Sequence, residues 1–169
     1  SAASDLFSNM RAPAALIGGA IVPIGFAAAP EISKDDSSFM NIFKKVYMII
    51  AILSLSCEII AVTYSTIAIN KLSESAVPST SSVIELLKRD YELQWLGCNV
   101  NFLLGLLGFA IMIGMRSWIY FGPKFGRVGL LVAGSVLAHC LSIINHGIAV
   151  GDGTGSKFGS NFFGIVKRY

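Results

Sequence analysis

LQWLGCNVNFLLGLLGFAIMIGM, from Leu93 to Met115, decides the fold. Its 23 residues carry no charge; Arg116 closes the run, with Trp118 and Tyr120 just beyond. About 20 residues at ~1.5 Å each cross the ~30 Å hydrocarbon core of a bilayer, so a run this long and apolar reads as a membrane span. Two similar runs flank it: VYMIIAILSLSCEIIAVTYSTIAI at 46–69 and VGLLVAGSVLAHCLSIINHGIAV at 128–150. The sequence therefore predicts an all-α integral membrane protein of one domain, a three-helix transmembrane bundle with a four-helix bundle as the alternative.

The alternative turns on residues 12–29, APAALIGGAIVPIGFAAA. The segment is uncharged, but Pro23 costs ~3 kcal/mol inside a regular helix. The preferred expectation is an N-terminal arm over residues 1–38, lying along the membrane surface or a partner. An irregular extra span is the other. Asp36 or Ser37 stands where it could cap the next helix. Ser82 and Glu85 fit a capping box, so a helix starting near Val83 is expected to run into the central span. Ser117 to Arg127 reads as a loop, and 151–169 as a glycine-rich tail carrying Phe162 and Phe163. Lys44, Lys45, Arg116, Lys124 and Arg127 gather at one side of the membrane; with three spans the N-terminus shares that side. The first residue is Ser1, which suggests processing or trimming, and SAASDLFSNMRAP is not a signal peptide in itself.

Composition agrees with a membrane protein. Charged residues make up 14% of the chain against about 25% in soluble domains. Net charge is +3 with no dense basic cluster, which excludes nucleic acid as a partner. Cys57, Cys98 and Cys140 each lie within an apolar run; an odd number there reads as packing, not as a disulfide framework. A phosphate loop, HExxH, a nucleophile elbow and CxxC are all missing from the sequence, so it predicts no enzyme and no metal centre.

The candidate site residues are the polar ones within the spans. Glu58 falls at mid-membrane, where an ionised acid costs a few kcal/mol and must face protein, paired or neutralised. It reads as a proton relay, an ion site, a ligand to a magnesium pigment, or a protonated acid bonding across helices. Asn99, Asn101, His139, Asn145 and His146 are its candidate partners. His139 and His146 are seven apart, ~10 Å along a helix, too far to chelate one ion but suited to two separate ligands or to two interhelical hydrogen bonds. Small residues recur every four positions: Cys57, Ala61, Ser65; Gly97, Asn101, Gly105; Gly134, Ala138, Ser142. Such stripes let helix backbones approach. Gly97, Gly105, Gly134 and Ala138 are the expected packing positions.

The pattern WLGCNVNFLLGLLGF at 95–109, followed by Met115, Arg116, Ser117 and Trp118, resembles small multi-span plastid membrane proteins of diatoms and related algae. Some of these are accessory subunits of photosystem–antenna supercomplexes. SAASDLF and RAPAALIGGA are similar in style to imported thylakoid subunits. The resemblance covers about a third of the chain. The repeated Glu/Arg chlorophyll-ligating helices of light-harvesting proteins are missing, and no arginine shares the Glu58 helix. The resemblance implies a non-catalytic subunit in the thylakoid, favouring photosystem I, in contact with core and light-harvesting proteins and with lipid. It implies few or no pigments held by the chain's own side chains; by their chemistry His139, His146, Glu58 and Asn101 are the candidate pigment ligands, with chlorophyll and carotenoid expected at helix surfaces. The alternative is a free-standing tetraspan-type scaffold, or a small ion or proton channel using Glu58 and the histidines.

Overall fold

The computed structural model of the protein describes residues 2–74, 86 and 90–152. Three helices hold nearly all of them: α1, Ala2–Ile21, prolonged by a π turn over Val22–Ala27; α2, Ser38–Glu74; and α3, Glu92–Asp152. Each contains a stretch long and apolar enough to cross a membrane: Ala3–Ala27, Ser38–Glu74 and Glu92–His139. The protein is an all-α integral membrane protein. The capping box at Ser82 and Glu85, and the tail beyond Asp152, lie outside the described residues.

Contacts give the topology. Gly18 lies against Glu58 and Gly25 against Ala51, so α1 and α2 are antiparallel. Gly97 meets Tyr64, Gly105 meets Glu58 and Gly108 meets Ser54, so α2 and α3 are antiparallel too. α1 and the first part of α3 run parallel, with Phe7 edge-on to Trp95, ring centroids 5.7 Å apart.

α3 has 61 residues, which as one rod would reach ~90 Å, three times a bilayer core. It folds back instead. Gly122 has φ 79° and ψ 177°, and beyond it Gly126 lies on Trp118, Gly129 on Ser117 and Leu130 on Gly114. α3 is thus a helical hairpin with an inner arm, residues 92–121, and an outer arm, residues 123–152. The expected loop from Ser117 to Arg127 shrinks to this one residue. No helix breaker stands between Arg116 and Phe121, so the inner arm continues. Pro123 falls at the start of the outer arm, where a missing N–H is harmless.

The N-terminal segment is a further helix lying lengthwise on α2, long and apolar enough to cross a membrane, so it matches the irregular extra span better than the arm. Pro23 is accommodated by widening the last turn: Ala28 N–H donates to Pro23 O, five residues back, at 2.9 Å. This reverses the expected placement of the N-terminus. With α1 antiparallel to α2, Ala2, Glu74 and Glu92 share one end of the bundle. The basic residues Lys44, Lys45, Lys124 and Arg127 stand at the other.

Aromatic residues mark both ends. Phe7, Tyr91 and Trp95 cluster at one, Phe43, Trp118 and Tyr120 at the other. Trp95 and Trp118 are 23 residues apart on the inner arm, ~35 Å, which matches a bilayer core with its interfacial belts.

The seam of α2 is Lys44, Tyr47, Ala51, Ser54, Glu58, Ala61, Ser65 and Ala68, all buried. Steps alternate three and four, the 3.5-residue repeat of left-handed helix packing. At its start Ser37 Oγ accepts from Met40 N–H at 3.2 Å and caps the helix. Buried Lys44 donates to Glu31 O at 2.7 Å and to Asp36 Oδ2 at 2.6 Å, tying the connecting loop to α2. The Lys44 hydrogen bond, helped by the Ser33 N–H, holds the Asp36 carboxyl below its ordinary value of 3.8. A lowered carboxyl contributes stability above its ordinary value and loses it as pH falls through the lowered one. Protease resistance of the Ala28–Ser37 loop is therefore expected to stay constant down to the ordinary aspartate range and to fall only below it. Asp36→Asn should remove that acid transition.

Candidate functional site

Glu58 is the centre of the bundle. It lies near the middle of α2, opposite Gly105, ten residues in from Trp95 and thirteen from Trp118. It is 1% exposed. A Cβ built on Gly105 would overlap its carboxyl, and one on Gly18 would touch its Cβ at 3.5 Å. Glycine on each neighbouring helix therefore makes the room that this side chain occupies.

Neither carboxyl oxygen has a hydrogen-bond partner. The asparagines expected to pair with the Glu58 carboxyl do not reach it: Asn99 Nδ2 donates to Trp95 O at 2.7 Å and Asn101 Nδ2 to Gly97 O at 2.8 Å, each within its own helix. The reason is chain geometry, since a short amide one turn beyond a carbonyl reaches it more readily than a group on the next helix. A groove of about 300 Å³ opens beside Glu58 between α1 and α2, lined by Ala14, Gly18, Gly19, Leu55, Val62 and Thr63 among others.

The four candidate pigment ligands are not brought together. Glu58 and Asn101 are buried inside the bundle, at 1% and 5% exposure. His139 is exposed on the outer arm. His146 is on the same arm, with its side chain outside the described residues, as is that of Asn145. The packing positions divide in the same way. Gly97 and Gly105 are buried against α2, where a side chain at Gly97 would meet the Tyr64 ring at 2.7–3.0 Å. Gly134 and Ala138 are exposed, and nothing lies within 4 Å of a Cβ built on Gly134. The outer arm meets the inner one through Gly126, Gly129 and Leu130 instead. Nor does Cys57 join the α2 seam; Cys98 does meet it, its Sγ 2.9 Å from Ser65 Oγ.

One polar cluster gave no sequence signal as a unit. Arg116 Nη1 donates to Ala28 O at 2.7 Å and Ile24 O at 3.1 Å, and the guanidinium lies 4.7 Å from the Tyr120 ring centroid. Tyr47 Oη donates to Ile24 O at 2.8 Å. These groups satisfy carbonyls freed where the Pro23 turn ends α1, and a cation there suits the negative end of the helix. Arg116→Gln is expected to cost ~1.5 kcal/mol, the low end for hydrogen bonds to a charged group, because the site is partly exposed. Tyr47→Phe should cost less. Denaturant titration in mixed micelles, read by tryptophan fluorescence, checks both.

No protein-family model, curated protein or solved structure matches the chain. Fold and site together define a class: an integral membrane helical bundle, sealed at its centre around one acidic residue and two glycines.

Proposed function

We propose that the chain is a non-catalytic accessory subunit of a larger membrane complex. In its specific form this is a photosystem of the plastid thylakoid, photosystem I ahead of photosystem II, where the subunit stabilises the association of core and antenna. The observation that carries the reading is the outer arm of α3. Its face of Gly134, Ala138 and Ser142 is uncovered, and Leu131 and Val136 beside it are 71% and 56% exposed. In lipid, bulky apolar side chains alone are neutral between acyl chains and protein, whereas a small-residue face favours close approach of another helix. Such a face, with no helix of the described residues against it, suits a helix of a partner.

The resemblance at 95–109 and 115–118 supplies the photosystem part of the proposal, and pigments fit the same arm. Exposed His139 can offer a nitrogen to a chlorophyll magnesium from the open side. The groove between the two arms of α3, about 450 Å³ and walled by Leu106, Phe109, Ile113, Val132, Val136 and Leu137 among others, suits a polyene or phytyl chain. Glu58 and Asn101 are enclosed and are weaker candidates for that role. A small channel is the second reading, favoured by the unpaired Glu58 carboxyl; loss of ion flux in liposomes on Glu58→Gln is its test.

Mass spectrometry of the complex that co-elutes with the detergent-solubilised native protein tests the first reading. Migration with chlorophyll–protein bands is expected, and migration alone without pigment would overturn it. Gly134→Leu should leave helicity and thermal stability unchanged while lowering co-purification several-fold.

A further inference from the structure

We propose that Glu58 is a proton-binding site entered from the lipid side through the groove between α1 and α2. Two independent observations carry this: a carboxyl 1% exposed with neither oxygen partnered, and a groove of about 300 Å³ whose wall includes Glu58 itself. A carboxyl buried in this way takes up a proton, because leaving an unpaired charge in an apolar interior costs a few kcal/mol or more. The neighbourhood fits a proton and not a metal ion. Calcium and magnesium take six or more oxygens. Besides Glu58, the groove's side chains offer one oxygen, the Thr63 hydroxyl, which already donates to Ile59 O at 2.8 Å. A proton needs one carboxyl. No charged side chain competes for it: α1 has no titratable group from Ala12 to Ala29, the inner arm has Cys98 alone between Leu93 and Met115, and α2 adds only Cys57 and Tyr64 between Met48 and Asn70.

The glycines give the carboxyl two positions. Against Gly105 it is sealed between helices. Turned toward Gly18 and Gly19 it enters the groove, where no side chain of those two residues blocks it, and there it gains or loses its proton. The site is independent of the accessory-subunit reading, since a subunit of any complex or a free bundle could carry it.

The test uses the full chain in phosphatidylcholine vesicles at neutral pH. The other acidic residues lie at span ends or outside the spans. A protonated-carboxyl C=O band in the infrared is therefore expected and should vanish in Glu58→Gln; its absence from the parent protein would overturn the proposal. Access is read with dicyclohexylcarbodiimide, which is lipid-soluble. The carboxyl oxygen bonds to the carbodiimide carbon, its proton passes to nitrogen, and the adduct rearranges to an N-acylurea located by mass spectrometry. Labelling at Glu58 is expected. It should fall several-fold in Gly19→Leu, which fills the groove where nothing lies within 4 Å of the new Cβ, while the infrared band stays. No labelling of the parent, or equal labelling of both proteins, would overturn entry through the groove.

Discussion

Gly105→Leu is expected to part α2 from α3 and to destabilise the bundle by ~3 kcal/mol or more, the upper end for an overpacked interior. The position admits no side chain. A first carbon there would overlap the Glu58 carboxyl, with Cδ at 2.7 Å and Cγ at 2.8 Å. A flexible neighbour can give way, and the Glu58 carboxyl can turn toward Gly18 and Gly19, but it then leaves its seat between the helices. Relief means moving the acid into the groove or separating two helices along a seam that also holds Gly97 on Tyr64 and Gly108 on Ser54. Separation forfeits close backbone packing, which drives helix association where there is no hydrophobic force. The same change at Gly134 meets nothing within 4 Å and should stay within ~0.5 kcal/mol. The two tryptophans give separate readouts in a denaturant titration. Trp95 against Phe7 reports α1 on α3, and Trp118, 6.0 Å from Phe43, reports α2 on α3. For Gly105→Leu the Trp118 transition should move to lower denaturant.

The membrane class was legible from Leu93 to Met115 because a bilayer makes a demand that local hydropathy can answer. Which face packs is a question of period, and here a four-residue spacing misleads. Four residues overshoot a full turn by ~40° in a 3.6-residue helix, so a stripe drawn at steps of four drifts off any straight contact. The seam alternates steps of three and four. It therefore passes through Ser54, Glu58, Ala61 and Ser65 and leaves Cys57 aside, while Gly97 and Gly105 lie on its counterpart in α3. On the outer arm the contact follows Gly126, Gly129 and Leu130 near the turn and leaves Gly134 and Ala138 exposed farther along. The cost of an acid at Glu58 could be read from one residue and its position in a span. Its lack of a partner could not, because partnering depends on the register of three helices. Arg116 is similar: as a charge after an apolar run it marks an end, but its target, Ala28 O, lies 88 residues earlier in the chain.

The hairpin of α3 rests on a single backbone conformation, and Gly122→Ala is expected to cost ~2–3 kcal/mol without touching a neighbour. Nothing lies within 4 Å of a Cβ at this position, so the cost is conformational alone. With φ 79° and ψ 177°, Gly122 lies outside the left-handed helical well and in the region essentially reserved for glycine. This separates two kinds of turn. A left-handed helical residue tolerates asparagine, whose short polar side chain is at ease there. At Gly122 asparagine should do no better than alanine, and equal losses for the two would identify the conformation. The consequence is topological as well as energetic. Without the break, helix propensity on both sides favours a continuous rod of ~90 Å, which no bilayer accommodates, so the outer arm must tear away from Gly114 and Ser117 or leave the membrane. A disulfide between Ser117→Cys and Gly129→Cys reads this directly, since their Cβ positions adjoin at 2.8 Å and parting the arms by about 1 Å brings them to the ~3.8 Å of a disulfide. It should form readily with Gly122 in place, identified by mass spectrometry of the linked peptides, and several-fold more slowly in Gly122→Ala. Lys124→Ala, two residues on and exposed, should leave the rate unchanged. Equal rates in all three proteins would mean that the arms are held by their packing and not by the turn.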